Sequence, residues 1–136
     1  MNLFAYGTLM FPEIWNRVVG RADQEFRRQP ASVRGMAVYR AAGEDFPVLV
    51  AGHADDVARG LVLFDLPEDV VAALDEYESD FYERVEVTAT LDDGAIVPAQ
   101  AYVLPDEHRA AATDERWTAE WFREEAMADY IQKFKL

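Results

Sequence analysis

The chain has 136 residues, of which 51% are hydrophobic, a size and composition typical of one domain. Asp and Glu number 26 against 13 Lys and Arg, and the resulting formal charge of -13 makes nucleic acid a poor partner. The chain has no cysteine, which excludes disulfides, thiolate nucleophiles and cysteine-bound metals and is compatible with a reducing cytoplasm.

Membrane and targeting signals are missing from the sequence. No apolar run approaches the roughly 20 residues that a membrane span needs, and the N-terminus lacks the pattern of a signal peptide. No linker, low-complexity tract or repeat divides the chain. We therefore predict a single cytoplasmic domain over residues 1–136, with no nucleic-acid or membrane partner; the oligomeric state is left open.

The first half of the chain contains several short strand candidates. Asn2–Tyr6 is predicted to form a strand that runs into a turn at Gly7, and Pro12 opens a short helix that ends near Gly20. Phe26–Tyr39 contains strand-like pieces and is followed by a loop over residues 41–47. Two further strand-like segments are Val48–Val50 and Leu61–Phe64.

Pro67–Glu78 is the clearest helix, because apolar residues recur there at helical spacing and two acids follow Pro67. After it, Val85–Leu91 alternates apolar and polar residues, Asp92–Gly94 forms a hairpin turn, and a strand returns over Ala95–Leu104. A second helical stripe lies within Trp117–Phe134. Strands outnumber helices without regular alternation, which indicates an α+β fold.

Several common catalytic chemistries lack the residues they need. Ser32 and Ser79 are the only serines and neither lies in G-x-S-x-G, and no phosphate-binding or dinucleotide glycine pattern occurs. His53 and His108 are far apart and belong to no metal-binding motif. We predict no metal and no cofactor, so catalysis would depend on carboxylates, tyrosines, threonines and backbone amides.

Three acids, Asp75, Glu76 and Glu78, crowd the C-terminal turn of the predicted helix, where the helix dipole disfavours negative charge. A helical projection puts Glu78 about 80° from Val70, at the border of the apolar face, and turns Asp75 and Glu76 further toward water. Burial there would raise the pKa of Glu78 toward that of a general base. A solvated, frayed helix end is the alternative interpretation.

The turn Tyr6-Gly7-Thr8-Leu9 is a candidate anion site, because successive backbone N–H groups after a strand can point into one concavity and Thr8 adds a hydroxyl. An ordinary turn is the alternative. Arg84 is predicted to pair with a substrate carboxylate or with an acid at the surface. Phe46-Pro47 forms either a pocket wall or plain packing.

These segments occur in a characteristic order. It comprises Leu3–Leu9 with its YGTL turn, Phe46-Pro47, the glycine-led Gly60–Phe64, Leu74–Glu78, Tyr82-Glu83-Arg84-Val85 and the aromatic Trp117–Trp121. In this order they resemble the γ-glutamylcyclotransferase superfamily, in its avirulence-induced-gene-like (AIG2-like) and γ-glutamylamine cyclotransferase branch. Ser79 departs from the glycine that many members have after the glutamate. The YGTL turn differs from the YGSN turn of the glutathione-pathway enzymes.

The resemblance implies a small mixed β-barrel with flanking helices, and a transferase or lyase reaction without an external nucleophile. The α-amine of a γ-glutamyl amine or amide attacks its own γ-carbonyl, which yields 5-oxoproline and a free amine. Glu78 would be the acid/base residue. The resemblance further implies that Gly7–Leu9 amides bind the carboxylate or oxyanion and that Tyr6 and Tyr82 shape the pocket, while the leaving amine is undetermined.

Two alternatives from other functional classes stay open. The first is a module that binds a small anion in the same pocket without turning it over. The second is an interaction protein that docks a partner through the aromatic segment Trp117–Phe122. Packing of this segment against the protein's own core would argue against the second.

Overall fold

The computed structural model describes all of residues 1–136. It contains eight strands and four helices, in addition to short 3-10 turns. In chain order they are β1 (Leu3–Ala5), α1 (Pro12–Val19), β2 (Arg28–Arg34), β3 (Met36–Ala41), β4 (Pro47–Ala51), β5 (Val57–Leu63), α2 (Glu68–Glu78), β6 (Glu83–Leu91), β7 (Ile96–Val103), β8 (Ala112–Arg116), α3 (Ala119–Trp121) and α4 (Met127–Lys133).

Five strands close into a barrel in the order β1-β5-β2-β6-β7. Neighbouring strands run antiparallel except β1 and β7, which meet in parallel at the pair Leu3 and Gln100 and complete the circle. The fold is therefore α+β, as the order of the elements predicts, and it is the small mixed barrel with flanking helices that the family resemblance implies.

Strand β1 is buried on both faces, which agrees with its three apolar residues. Phe4 points into the barrel interior, whereas Leu3 and Ala5 pack outward in the cluster that contains Trp15 of α1 and Leu74 of α2. Because successive side chains of a strand alternate between faces, one short strand joins the barrel core to the helical layer. This strand also delivers the turn that follows it to the interior of the molecule.

Strand β5 begins at Val57, four residues before the predicted start at Leu61. Its first half pairs with β2, from Arg34 opposite Val57 to Ala31 opposite Gly60, and its second half pairs with both β2 and β1. Arg59 and Gly60 interrupt the apolar pattern of β5, so the sequence does not indicate a strand over its first half. Hydrogen bonding to β2 along its first half, and to both β2 and β1 beyond it, stabilises β5 as a strand.

The helix limits follow local signals. Pro12 opens α1, and Gly20 ends it with a left-handed φ of 73°. The predicted α2 is confirmed to within a residue, and Ser79 ends it with a φ of 59°.

A three-stranded antiparallel sheet, in the order β4-β3-β8, lies beside the barrel. Strand β8 is not predicted from the sequence, because Ala112–Arg116 are largely polar and gain their strand geometry by pairing with β3. The predicted C-terminal helix consists of α3 and α4 joined by a π-helical turn, Phe122–Ala126. No helix combines the length and the hydrophobicity that crossing a bilayer requires.

Candidate active site

A cavity of about 320 Å³ opens between the end of β1, the end of α2 and the C-terminal segment. This volume lies at the lower end of the range of about 300–1,000 Å³ that is typical of small-molecule sites. Most of its lining is apolar. The lining residues are those of the chain segments Leu3–Leu9, Phe46-Pro47, Tyr77–Ser79 and Phe81-Tyr82, together with Tyr102, Tyr130, Phe134 and Leu136.

The turn after β1 presents backbone N–H groups without acceptors. The Met10 N–H donates to the Gly7 carbonyl at 3.0 Å and closes a 3-10 turn over Thr8–Met10. The N–H groups of Gly7, Thr8 and Leu9 donate to no group of the protein, and all three residues are buried in the cavity wall. Unpaired buried N–H groups are rare, so this turn has the geometry to bind an anion.

Gly7 is required by a close approach between the turn and the Phe46-Pro47 segment. A Cβ at residue 7 would lie 2.6 Å from Pro47 Cγ, well inside van der Waals contact. The absence of a side chain allows Pro47 to pack directly over the turn. Phe46-Pro47 is thus a wall of the cavity, one of the two roles considered for it.

Glu78, the last residue of α2, lines the same cavity. Its carboxyl group forms no hydrogen bond or ion pair within the protein, and burial raises its pKa from 4.5 to about 8. The helical projection therefore described its position correctly, and the frayed, solvated helix end does not occur. A carboxyl group in this state is able to accept or donate a proton near neutral pH.

Tyrosine hydroxyls connect the walls of the cavity. The Tyr77 hydroxyl lies 2.9 Å from Thr8 Oγ1 and also shares a short hydrogen bond with the Tyr130 hydroxyl. Tyr82 donates its O–H to the Pro47 carbonyl at 2.7 Å, and Tyr6 donates to the Tyr102 carbonyl at 2.5 Å. These bonds hold the turn, the proline wall and α4 at set positions around Glu78.

The same tyrosines stay protonated at physiological pH. Burial raises the pKa of Tyr6, Tyr77 and Tyr82 above the ordinary value of 10.0, and the nearby Glu78 carboxyl raises each of them further. Glu78 is therefore the group of this cavity that is able to exchange a proton near neutral pH.

Arg84 does not reach the cavity. Its Nε donates to Asp75 Oδ1 at 3.0 Å, and its Nη1 donates to Gln100 Oε1 at 2.5 Å on the exposed side of the barrel. Asp75 also accepts the O–H of Tyr102 at 2.7 Å. Of the two roles predicted for Arg84, the structure contains the surface ion pair, since Asp75 lies close enough to capture the guanidinium group.

Sequence reasoning missed Tyr130 and Phe134 as cavity residues. Both belong to the apolar stripe of the C-terminal helix, and spacing alone does not tell a core position from a cavity wall. The tyrosine itself is a signal, because a buried Tyr hydroxyl needs a hydrogen-bond partner.

The aromatic C-terminal segment packs against the protein's own core. Phe122 is fully buried, and its ring lies 5.3 Å from that of Phe11 and 5.6 Å from that of Trp117. The Trp117 indole N–H donates to the Asp45 carbonyl at 2.9 Å. Because Trp117 and Phe122 are buried in these contacts, their rings do not lie at the surface, where docking of a partner would need them.

A model of the family described as gamma-glutamyl cyclotransferase, AIG2-like, matches residues 3–121, which is most of the chain. The chain belongs to this family. The matched region of this AIG2-like chain contains both the turn after β1 and Glu78.

Curated relatives of this AIG2-like chain include two proteins of Arabidopsis thaliana. AIG2-like protein D is 29% identical over 94 residues, which cover 69% of this chain and 59% of that protein. AIG2-like protein A is also 29% identical over 94 residues and is covered to 54%. The chain thus spans less than two thirds of the length of these relatives.

Solved structures support the fold. A solution structure of an Arabidopsis thaliana protein matches with a TM-score of 0.72 at 23% identity, over 98% of this chain and 79% of that one. A structure of a gamma-glutamyl cyclotransferase matches with a TM-score of 0.63 at 16% identity, over 77% of this chain and 66% of that one. At these identities the likeness shows that the barrel fold is shared.

Proposed function

We propose that this protein is a γ-glutamylcyclotransferase that converts a γ-glutamyl amine or amide to 5-oxoproline and a free amine. The observation that carries the proposal is the Glu78 carboxyl group, which lies unpaired in the cavity wall with its pKa raised to about 8. Membership of the AIG2-like family supports the same activity.

The proposed reaction needs no second substrate. The substrate's α-ammonium group loses a proton to the Glu78 carboxylate, and the nitrogen lone pair attacks the γ-carbonyl carbon to form the C–N bond of a five-membered ring. Collapse of the tetrahedral intermediate breaks the C–N bond to the leaving group. The α-nitrogen loses two protons in all and the leaving nitrogen gains two, so the amine departs as an ammonium ion and no water is consumed.

Position and electrostatics supply the remaining catalysis. The ring closes within one molecule, so holding the reactive conformer removes much of the entropic barrier, an effect worth about 7–11 kcal/mol in favourable systems. The unpaired N–H groups of Gly7, Thr8 and Leu9 are suited to the substrate carboxylate or to the oxyanion of the intermediate. Tyr6 and Tyr82 would shape the pocket through their hydrogen-bonded rings.

The first experiment measures 5-oxoproline release from a panel of γ-glutamyl amines, γ-glutamyl amino acids and glutathione. We expect release by the wild-type protein and a loss of about a hundredfold or more in Glu78→Gln, since general acid/base catalysis contributes about that much. Glu76→Gln is the matched control, because Glu76 is an exposed carboxylate on the same helical turn. Equal activity in Glu78→Gln and wild type would contradict the assignment.

The pH profile of kcat/KM adds an independent check on the base. Glu78 must be deprotonated to accept the ammonium proton, so kcat/KM should fall about tenfold per pH unit below about 8. A profile that is flat between pH 6 and 8 would exclude Glu78 as the base.

A binding module for a small anion is the competing proposal. The unpaired N–H groups of the turn also fit that role. A folded protein that binds a γ-glutamyl compound but releases no 5-oxoproline would favour the module. Neither proposal depends on the cytoplasmic location, which stays a prediction.

A further inference from the structure

Three phenylalanines form the outer wall of the cavity. Phe46 packs edge-to-face against Phe81 and Phe134, with ring centroids 5.7 Å and 6.2 Å apart. Each of the three rings is partly exposed, and Phe134 is 42% exposed, whereas the turn residues Gly7–Leu9 are buried. The phenylalanine cluster therefore lies at the solvent end of the cavity, and the turn lies at the inner end.

Among the side chains that line the cavity, only that of Glu78 carries a charge when it is ionised near neutral pH. The polar side chains of its lining are the Glu78 carboxyl and the hydroxyls of Thr8, Ser79 and the tyrosines. The lysines on either side of Phe134 are exposed and do not line the cavity. The Lys133 ammonium lies 5.5 Å from the centroid of the Phe134 ring, but its charge is paired with that of Glu44 at 2.8 Å. A ligand carboxylate placed among the phenylalanines would lose hydration to apolar rings and be repelled by ionised Glu78.

The position of the phenylalanine cluster and the charge of the cavity lining indicate which leaving amine the cavity accepts. In the proposed reaction the glutamyl end needs the N–H groups of the turn, so it occupies the inner end of the cavity. The amine's substituent then extends toward the phenylalanine cluster. Apolar, partly exposed rings at that end gain free energy when an apolar group covers them.

We propose that the amine released by this protein carries an uncharged, apolar substituent about the size of an aromatic ring, bound by Phe46, Phe81 and Phe134. This substrate class rests on the proposed cyclotransferase activity. It excludes γ-glutamyl amino acids as preferred substrates, because their leaving groups carry a carboxylate.

Three compounds test this proposal. γ-Glutamyl-2-phenylethylamide and γ-glutamylphenylalanine differ only by the carboxylate on the leaving group, and γ-glutamylmethylamide lacks the ring. We expect kcat/KM for the phenylethylamide to exceed each of the other two at least about tenfold, measured as 5-oxoproline release. Equal or faster turnover of γ-glutamylphenylalanine or of the methylamide would overturn the proposal.

A variant links the preference to the phenylalanine cluster. Phe134→Ala should reduce the kcat/KM ratio of the phenylethylamide to the methylamide at least about threefold, since it removes one wall of the subsite. Ile96→Ala is the control, because Ile96 is 69% exposed on β7 and does not line the cavity. An unchanged ratio in Phe134→Ala would contradict the assigned subsite.

Calorimetric titration separates this proposal from the proposed function. If none of the three compounds yields 5-oxoproline, the cyclotransferase activity fails, and their dissociation constants still test the subsite. Binding of the phenylethylamide at least about tenfold tighter than the other two would support an apolar subsite. Absence of that difference would overturn it.

Discussion

Glu78 combines two unfavourable conditions for a negative charge. It is the last residue of α2, where the unpaired carbonyl groups give the helix dipole its negative end, and it lies partly buried in the cavity wall without a partner. Its ionised form therefore destabilises the folded protein. Carboxyl groups with strongly perturbed pKa values cluster at functional sites, and the cost of this one to the stability of the fold is measurable.

The stability of the protein should depend on pH through Glu78. Between about pH 4.5 and 8 the folded protein keeps a proton on Glu78 that the unfolded chain releases, so the unfolding free energy falls as pH rises. Above about pH 8 both states are ionised and the contribution is constant. Glu78→Gln removes this penalty, so its Tm advantage over wild type should grow from pH 5 to pH 8 and then level off.

Thermal unfolding of Glu78→Gln and wild type across that pH range provides the measurement, and Glu76→Gln provides the comparison for an exposed carboxylate. A Tm difference between Glu78→Gln and wild type that does not change with pH would show that Glu78 is hydrated in the folded protein.

A chain of hydrogen-bonded hydroxyl groups joins three segments of the protein that are far apart in the sequence. Thr8 belongs to the turn after β1, Tyr77 to α2 and Tyr130 to α4, and their hydroxyls are hydrogen-bonded in that order. Helix α4 carries Phe134 into the cavity wall just beyond its last residue. The hydroxyl chain therefore positions the C-terminal segment relative to the turn.

Tyr130→Phe should lower the unfolding free energy by about 1 kcal/mol, the usual net contribution of one hydrogen bond, and should speed amide hydrogen exchange in α4. Tyr39→Phe is the matched control, because the Tyr39 ring packs beneath Arg116 and its hydroxyl is not part of the network. Urea unfolding and hydrogen exchange measure the two effects. An effect of Tyr39→Phe as large as that of Tyr130→Phe would argue against a specific role for the network.

At the scale of the whole molecule, closure of the barrel depends on a close contact between β1 and β5. A Cβ at residue 60 would lie 2.1 Å from the carbonyl oxygen of Ala5, a backbone atom that cannot move without distorting β1. Since β1 leads directly into the turn at Gly7, this contact also sets the position of the cavity's inner end.

Gly60→Ala should lower the unfolding free energy by about 3 kcal/mol or more, as severe overpacking does. Gly94→Ala, in the β6–β7 hairpin, is the comparison: its φ of 90° strains an alanine, but nothing lies within 4 Å of the added Cβ. We expect a loss of about 1–2 kcal/mol there. Similar losses for the two variants in urea unfolding would refute a steric role for Gly60.

Features that depend on local signals follow from the order of the amino acids alone. Pro12 and Gly20 mark the two ends of α1, and the spacing of apolar residues predicts α2 and β6. The turn at Asp92–Gly94 predicts that β7 returns beside β6. The helical projection of α2 put Glu78 at the border of its apolar face. These predictions succeeded because each rests on the backbone preferences or the spacing of residues close together in the chain.

Which of these residues come into contact depends on how the chain packs in three dimensions. Barrel closure brings the turn after β1, the end of α2 and the C-terminal segment around one cavity, while Asp75 keeps Arg84 outside it. Strand β8 and the early part of β5 are strands because of their pairing partners. Contacts between residues far apart in the chain depend on packing and pairing energies that no local pattern encodes.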